Sequence, residues 1–467
     1  MERLKALNER RKELEKASEN PRRFIKTILD DMSFVEMDSF IYQNHKEGEA
    51  FGEGVVSGFG RINDNEVCIF SQNIDVLKGG VGKLHAEKIV KCMLKASNAN
   101  VPLISIIDSM GARMDEGIDV LESYGEILGA AARLDVPHIL IVKSASYGMI
   151  STLCGIADFI FMVNDAVMTS TSPKILVASA QKELTASEVG GVQVNLGVSG
   201  QADFAGTPQE VAAQVKKLIT YIYNDAQSLD DLNRTSVVLN KSNDIHTVVS
   251  EVFDKNSFFE MGKEYAPEAV CGLALIDGVT VGVIANNYKV SKYLTQNALK
   301  KIAKYVSVFD GLDIPIINFV DTLGLIPELD SEQNGLLTDA ANLVAKYANF
   351  EGTLISVIVG HASGFGYTAL ASNGIGYDYT LAWADADISA LPVDSLAALE
   401  KREELGKAKL AKLNDNSNKQ LDSLIKDYSD QNADVFFAAR KGYIDDIIEP
   451  ALTRSYLIAA LSMVERF

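Results

Sequence analysis

Three glycine-containing turns follow apolar segments of the sequence: GGVG at 79–82, SYGM at 146–149 and SGFG at 363–366. Glycine lets the backbone approach a ligand closely, and the first N–H groups of a following helix are unsatisfied and point outward. Two such N–H groups can stabilise the negative charge on a carbonyl oxygen that becomes an enolate. Each turn taken alone is more simply explained by a structural role, in which glycine only permits a tight turn.

An internal duplication makes the chemical role as plausible as the structural one. VPLISIIDSMGAR (101–113) and IPIINFVDTLGLI (314–326) both run from a proline through an apolar segment to Asp-Ser/Thr-x-Gly. Their prolines, aspartates and glycines are each separated by 213 residues (315 − 102, 321 − 108 and 324 − 111). Equivalent strand-to-helix turns are therefore expected in both halves of the chain.

The elements that position these turns alternate between strand and helix. A short strand is predicted at 33–38 and a hairpin at 54–73, with Asn-Asp-Asn at its turn. After GGVG comes a helix with apolar positions on one face, followed by apolar strands that alternate with helices. Continuous apolar strands alternating with helices indicate an α/β fold with parallel strands covered on both faces.

The second half repeats this order, from NSFFEM (256–261) to TLISVIVGHASGFGYTAL. The polar segment 224–245 has no counterpart, so the junction is placed there, giving predicted domains at 1–235 and 236–467. At the start of the chain, an amphipathic helix is expected, followed by a second helix after Pro21.

Composition excludes several classes of function. A formal net charge of −19 argues against non-specific binding to nucleic acid or anionic lipid. The four cysteines, Cys68, Cys92, Cys154 and Cys271, lack CxxC or His spacing, so buried reduced thiols are expected rather than disulfides or a metal site. The charged opening segment and the short apolar runs favour a cytoplasmic protein.

Other catalytic patterns fail. GGVGK lacks the first glycine and the Ser/Thr of a phosphate-binding loop, and no G-x-S-x-G occurs. The five histidines are scattered, and His361 beside the third turn is most simply a structural hydrogen-bonding residue. Arg113 could neutralise a phosphate, but an ion pair with Asp115 or Glu116 is the commoner outcome.

Taken together, these stretches resemble the carboxyltransferase subunits of biotin-dependent acyl-CoA carboxylases, sodium-pumping decarboxylases and transcarboxylase. The resemblance covers nearly the whole chain. The stretches that carry it are SFVEMDSF, GEGVVSGFGRI, GGVGKLHAEKI, DSMGARMDEGID, ADFIFMV, TASEVGG (185–191) and AARKGYIDDIIEPALTRSYLIAAL (438–461).

The resemblance implies two duplicated crotonase-like domains and a homo-oligomer, usually a hexamer. It implies a CoA ester on the first domain and biotin, on a separate biotin carboxyl carrier protein, on the second. The chain itself has no Met-Lys-Met biotinyl motif and no ATP site. Biotin carboxylase subunits or membrane decarboxylase subunits are therefore expected as further partners.

The family's catalysis uses backbone amides. By position, Gly148 and Met149 would form one oxyanion hole, and Gly364 and Phe365 the other. The predicted substrate-binding residues are Gly79, Gly80, Gly111, Ala112, Arg113 and Thr368.

This sequence departs from the family at several of these places. Met149 and Phe365 stand where relatives carry a second glycine, and Thr368 stands where propionyl-CoA enzymes carry aspartate. The segments 288–294 and 324–328 also differ from the family's second-domain turns. The acyl group and the direction of transfer stay open.

Two other hypotheses remain open from the sequence. The chain could be a CoA-binding scaffold without transfer activity. It could also be a biotin-independent crotonase-type enzyme, for which Asp108 and Glu116 are the candidate carboxylates.

Overall fold

The structure is a computed structural model that describes residues 2–42, 44–45, 48–49, 51–224, 230–231, 233–392, 395 and 433–464. The chain forms two compact units, Met1–Asp225 and Ala226–Phe467. Each unit is built around an eight-stranded sheet with helices packed on it. Within the described residues, no helix is both long and apolar enough to cross a membrane.

The sheet of the first unit has the order β1-β4-β5-β6-β7-β8-β10, with β9 added beside β7. Strands β1, β4 and β5 pair antiparallel, and all later pairs are parallel. β2 and β3 form a separate small ribbon. The strands are β1 Val35–Met37, β2 Asn44–His45, β3 Gly48–Glu49, β4 Val55–Ile62, β5 Asn65–Gln72, β6 Leu103–Ser109, β7 His138–Tyr147, β8 Phe159–Val163, β9 Val167–Thr169 and β10 Phe204–Gly206.

The helices of the first unit are α1 Glu2–Ala17, α2 Glu19–Ile28, α3 Lys83–Ala99, α4 Asp119–Ala131, α5 Pro173–Ala180, α6 Ala186–Gly190 and α7 Pro208–Ile222. A 3₁₀ helix, Gly148–Gly155, follows β7 directly. The predicted apolar face of α3 is confirmed, since Ile89, Cys92 and Met93 are buried against the sheet core. α2 begins before Pro21, which occupies its first turn, where the missing proline N–H costs nothing.

The second unit repeats this architecture, with the order β11-β12-β13-β14-β15-β16-β18 and β17 beside β15. Its strands are β11 Phe259–Met261, β12 Ala269–Ile276, β13 Val279–Asn286, β14 Ile316–Thr322, β15 Leu354–Ser363, β16 Tyr379–Trp383, β17 Asp387–Ser389 and β18 Asp446–Ile448. Its helices are α8 Ile245–Val252, α9 Gln296–Gly311, α10 Leu329–Gln333, α11 Leu336–Ala348, α12 Phe365–Leu370, α13 Val435–Arg440 and α14 Thr453–Val464.

Both predicted hairpins are confirmed, and both use the same turn chemistry. Asn63 and Asp64 have φ of 51° and 66°, and Asp277 and Gly278 have φ of 53° and 76°, as tight two-residue hairpin turns require. In the first unit the Asp30 carboxylate accepts both turn N–H groups, at 3.1 and 3.0 Å.

Cysteine exposure partly matches the prediction. Cys68, Cys92 and Cys271 are buried free thiols, whereas Cys154 is half-buried and its Sγ contacts Gln201 Oε1 at 3.6 Å. The three-residue strands β9, β10, β17 and β18 were not predicted, because three residues are too few to show a periodic pattern.

A buried ion pair anchors the turn that follows β6. The Arg113 guanidinium donates to the Glu53 carboxylate and, at 2.8 Å, to the Glu53 carbonyl; both side chains are almost completely buried. Arg113 also contacts Glu116 at 3.3 Å, and Glu116 accepts the Lys83 N–H at the start of α3 at 2.7 Å. Three segments distant in sequence are thereby joined at the end of one strand.

Replacing Glu53 by Gln should destabilise the first unit by about 3–5 kcal/mol, because the buried Arg113 charge would lose its counter-ion. Glu116→Gln is the matched control and should cost about 1 kcal/mol, since its contact is longer and less buried. Urea unfolding of both variants measures the difference. Equal decreases in the free energy of unfolding for the two variants would contradict a dominant role for Glu53.

A buried histidine makes the stability of the fold depend on pH. His138 is fully enclosed; its Nε2 lies 2.8 Å from Ser105 Oγ, and burial lowers the His138 pKa to about 4. Because the folded pKa lies below the unfolded value of about 6.5, the neutral ring stabilises the fold fully above that value. That contribution is lost as the pH falls from about 6.5 towards 4.

His138→Asn should therefore flatten the pH dependence of stability between pH 6.5 and 4 by up to about 3 kcal/mol. His246→Asn removes an exposed histidine and should leave that dependence unchanged. Unfolding midpoints measured at half-unit pH steps give the comparison. The same acid slope in wild type and His138→Asn would show that this ring is not the titrating group.

Candidate functional site

The carboxyl end of β6, which carries the candidate carboxylate Asp108, is irregular. The register between β6 and β7 shifts between Ile107 and Ser109, and the side chain of Asp108 turns inward there. Its carboxylate pairs with Lys143 Nζ at 3.1 Å and accepts from the Ser144 hydroxyl. Asp108 is therefore an anchor for two strands and not a carboxylate facing a ligand.

Glu116, the other candidate for a crotonase-type carboxylate, is equally occupied. It holds the Lys83 N–H and the Arg113 guanidinium, as described above. The geometry thus gives no support to acid–base catalysis by either predicted carboxylate.

The first glycine turn lies directly against this strand end. Gly79 has φ of 64°, and a Cβ there would meet the Asp108 carbonyl oxygen at 2.1 Å, so only glycine fits. Val81 N–H donates to Gly111 O and Arg113 N–H donates to Val81 O, both at 2.9 Å. These bonds join the turn at 79–82 to the turn after β6 in one rigid unit.

The joined turns border a cavity of about 430 Å³. Four of the predicted binding residues line it: Gly80, Gly111, Ala112 and Arg113. Arg113 forms the ion pair with Glu116 that the sequence favoured, and its guanidinium is also buried against Glu53, so a role towards a phosphate stays a prediction. The remaining lining residues are Leu77, Lys78, Met110, Met114 and Asp115.

The next strand end presents backbone donors. Gly148 has φ of 81° and begins the 3₁₀ helix, and a Cβ placed on it would meet nothing within 4 Å. Neither the Gly148 nor the Met149 N–H donates to any described residue outside that helix. A Cβ on Gly111 would lie 3.6 Å from the Tyr147 carbonyl oxygen, so the two turns are neighbours. Both N–H groups of this predicted pair are open to a ligand.

In the second unit the predicted pair shifts by one residue. The Gly364 N–H donates to the Ser389 carbonyl oxygen at 2.9 Å and so extends the pairing of β15 with β17. The N–H groups of Phe365 and Gly366, at the start of α12, have no acceptor among the described residues outside their helix. The open pair is therefore Phe365 and Gly366, and the expectation for Gly364 is revised.

The space before these amides is kept open by another glycine. Gly324, in the turn after β14, has φ of 94°, and a Cβ on it would lie 3.7 Å from Phe365 N and 3.8 Å from Gly366 N. A side chain at Gly324 would fill that space. The nearest atom to that Cβ is the Ser363 carbonyl oxygen at 2.9 Å, so glycine at 324 also lets the two turns approach each other closely.

Thr368 lies one turn further along α12 and is exposed. Its hydroxyl donates to the Gly364 carbonyl oxygen at 3.1 Å, a common local bond for threonine in a helix. Its role in selecting the acyl group stays a prediction.

A side-chain cluster that the sequence did not reveal lies at the second strand end. Asp321 is buried, like Asp108, and its Oδ1 accepts from the His361 N–H at 2.9 Å and lies 2.8 Å from His361 Nδ1. The Tyr288 ring stacks on the imidazole at 4.7 Å, and Lys292 Nζ lies 5.5 Å from the Tyr288 ring centre. The hydrogen bond to Asp321 raises the pKa of His361.

Comparison with known proteins shows the family to which the chain belongs. Residues 12–466 match the family model described as Carboxyl transferase domain. The carboxyltransferase subunit of propionyl-CoA carboxylase from Haloferax mediterranei is 33% identical, over 97% of this chain and 91% of its own. The alpha subunit of methylmalonyl-CoA decarboxylase from Veillonella parvula is 32% identical, over 94% and 88%.

A solved structure has the same fold as this chain. The transcarboxylase 12S hexamer, with hydrolysed methylmalonyl-coenzyme A bound, is 27% identical and superposes with a TM-score of 0.91, covering 99% of this chain and 96% of its own. The two duplicated sheets are thus the crotonase-like domains that the sequence predicted. The chain belongs to the carboxyl transferase family of biotin-dependent acyl-CoA carboxylases and decarboxylases.

Proposed function

We propose that this carboxyltransferase moves a carboxyl group between biotin, on a separate carrier protein, and the α-carbon of a short acyl-CoA. Propionyl-/methylmalonyl-CoA and acetyl-/malonyl-CoA are the candidate pairs. The observation that carries the proposal is the recurrence of two open backbone N–H groups at equivalent strand ends in both units.

The Gly148 and Met149 N–H groups would hold the thioester oxygen. When the bond between the α-carbon and the carboxyl carbon breaks, its electron pair moves onto that oxygen as an enolate. Two fixed donors stabilise the enolate more than the neutral thioester, which lowers the barrier. Each donor of this kind typically contributes about 3 kcal/mol. The cavity bordered by Gly80, Gly111 and Ala112 lies beside this turn and would hold part of the CoA ester.

The Phe365 and Gly366 N–H groups would hold the ureido oxygen of biotin in the second unit. Gly324, in the turn after β14, lies beside these two donors and places no side chain against them. Biotin bound at this place supplies the nitrogen that carries the carboxyl group. The protein contributes the two donors, which stabilise negative charge on the ureido oxygen when that nitrogen is deprotonated.

The proposed assembly is a homohexamer, as in the transcarboxylase 12S structure. Its proposed partners are a biotin carboxyl carrier protein and either biotin carboxylase or membrane decarboxylase subunits. The decarboxylase relative supports the second possibility, and the carboxylase relatives support the first.

The purified protein should release CO2 from malonyl-CoA or methylmalonyl-CoA in the presence of free biotin. The rate is measured from the loss of label from the substrate carboxyl group and from the product thioester, which is separated by chromatography. Absence of turnover with either ester, with free biotin and with a biotinylated carrier, would reject the transfer reaction. Calorimetry showing CoA binding without turnover would instead favour a scaffold.

Removing one backbone donor tests the role of the first turn. Met149→Pro lacks the N–H but stays compatible with the first turn of a helix, so kcat should fall about 100- to 1000-fold. Met149→Ala keeps the N–H and removes a side chain that is 40% exposed, so its kcat should stay close to wild type. Similar rates for the two variants would contradict the amide mechanism.

A further inference from the structure

The cavity beside the first turn contains a cation in an unusual backbone position. Lys78 lines the cavity and is exposed. Within the part of the chain that the structure describes, its ammonium makes no ion pair. The other basic residue of the cavity, Arg113, is neutralised by the buried Glu53 carboxylate. Lys78 is thus the basic group in this cavity that remains available to a ligand.

The backbone at Lys78 is strained. Leu77 and Lys78 have φ of 46° and 56°, a left-handed conformation that costs a non-glycine residue about 1 kcal/mol or more. Glycine would adopt this conformation without that cost. The turn therefore does not itself require a lysine at this position.

The position is also fixed. The Met110 N–H donates to the Lys78 carbonyl oxygen at 3.0 Å, which ties the residue to the end of β6. The backbone of the following Gly79 packs closely against the Asp108 carbonyl oxygen, as described above. The fixed backbone sets where the side chain begins, so binding of the ammonium orders the side-chain torsions and not the turn.

The rest of the cavity wall suits a ligand with an anionic group and an apolar arm. Met110 and Met114 are 51% and 86% exposed, and flexible thioethers adapt to irregular apolar ligands. Gly80 and Gly111 give close backbone approach. Asp115, an acidic residue, also lines the cavity.

From these observations, which rest on the function proposed above, we infer that Lys78 binds a phosphate of the CoA ester and sets the preference for CoA over phosphate-free thioesters. The acyl carboxylate of malonyl-CoA has the same charge chemistry, and the experiment separates it from the phosphates. Lysine is an effective point-charge ligand for phosphate.

The test compares Lys78→Gly, Lys78→Arg and the control Lys91→Gln with wild type. Lys91 is an exposed lysine of the same unit that pairs with Asp38, so its variant makes the same change in net charge outside the cavity. The substrates are malonyl-CoA and malonyl-pantetheine, which keeps the acyl carboxylate and lacks the phosphates of CoA.

Lys78→Gly should raise the KM for malonyl-CoA about tenfold, as expected for one lost hydrogen bond to a charged group, and leave kcat nearly unchanged. The KM for malonyl-pantetheine should not change. Lys78→Arg should retain most of the affinity, and Lys91→Gln all of it. The thermal midpoint of Lys78→Gly should not fall, since glycine relieves the left-handed strain, and a merely structural lysine would not give this combination.

Binding measurements separate this inference from the transfer reaction. Calorimetry should show that Lys78→Gly binds CoA about tenfold more weakly than wild type does, whereas its affinity for pantetheine is unchanged. This result does not depend on whether the protein turns over. Equal losses for both ligands, or no loss for either, would overturn the phosphate assignment. Absence of turnover with normal CoA binding would reject only the proposed function.

Discussion

The candidate site depends on one constraint: a backbone N–H can serve a ligand only where the sheet stops using it. In β7 and β15 the paired N–H groups are taken by neighbouring strands, and the His138 and His361 N–H groups donate to the Asp158 and Asp321 carboxylates. Donors open to a ligand therefore begin after the last paired residue. In the first unit that point is Gly148. In the second unit the ladder with β17 continues through the Gly364 N–H, and the open donors begin at Phe365. The difference of one residue follows from where pairing ends and not from the glycine pattern.

This constraint explains how far the sequence could predict the site. The duplication, the hairpins and the alternation of strands and helices come from long periodic segments, and the structure has them where they were expected. The first donor pair was also placed where open amides are found, at Gly148 and Met149. Ser389, which takes the Gly364 N–H, belongs to β17, and a strand of three residues is too short to be predicted from its pattern alone. Its pairing with β15 arises only when the sheet assembles, so no local pattern could reveal it.

Side-chain partners were less predictable than backbone geometry for a related reason. Arg113 was expected to pair within its own turn, and it does contact Glu116, but its main partner Glu53 is 60 residues away. That choice depends on burial, because an arginine enclosed at the end of a strand requires a counter-ion that reaches the same enclosed place. The equivalent strand end of the second unit has Ile326 instead of Arg113, so the two copies share a backbone and not its electrostatics.

The clearest divergence between the copies concerns a lysine that both retain. Lys78 O accepts the N–H of Met110, and Lys292 O accepts the N–H of Leu323, so the two lysines hold equivalent positions. The ammonium of Lys292 lies over the Tyr288 ring, which stacks on a histidine held by Asp321. Lys78 lines an open cavity instead. Because an aromatic face already engages the ammonium of Lys292, that lysine is less available to an anionic ligand than Lys78 is. The duplicated backbone therefore places a lysine at both strand ends, and the surrounding side chains decide what each ammonium contacts.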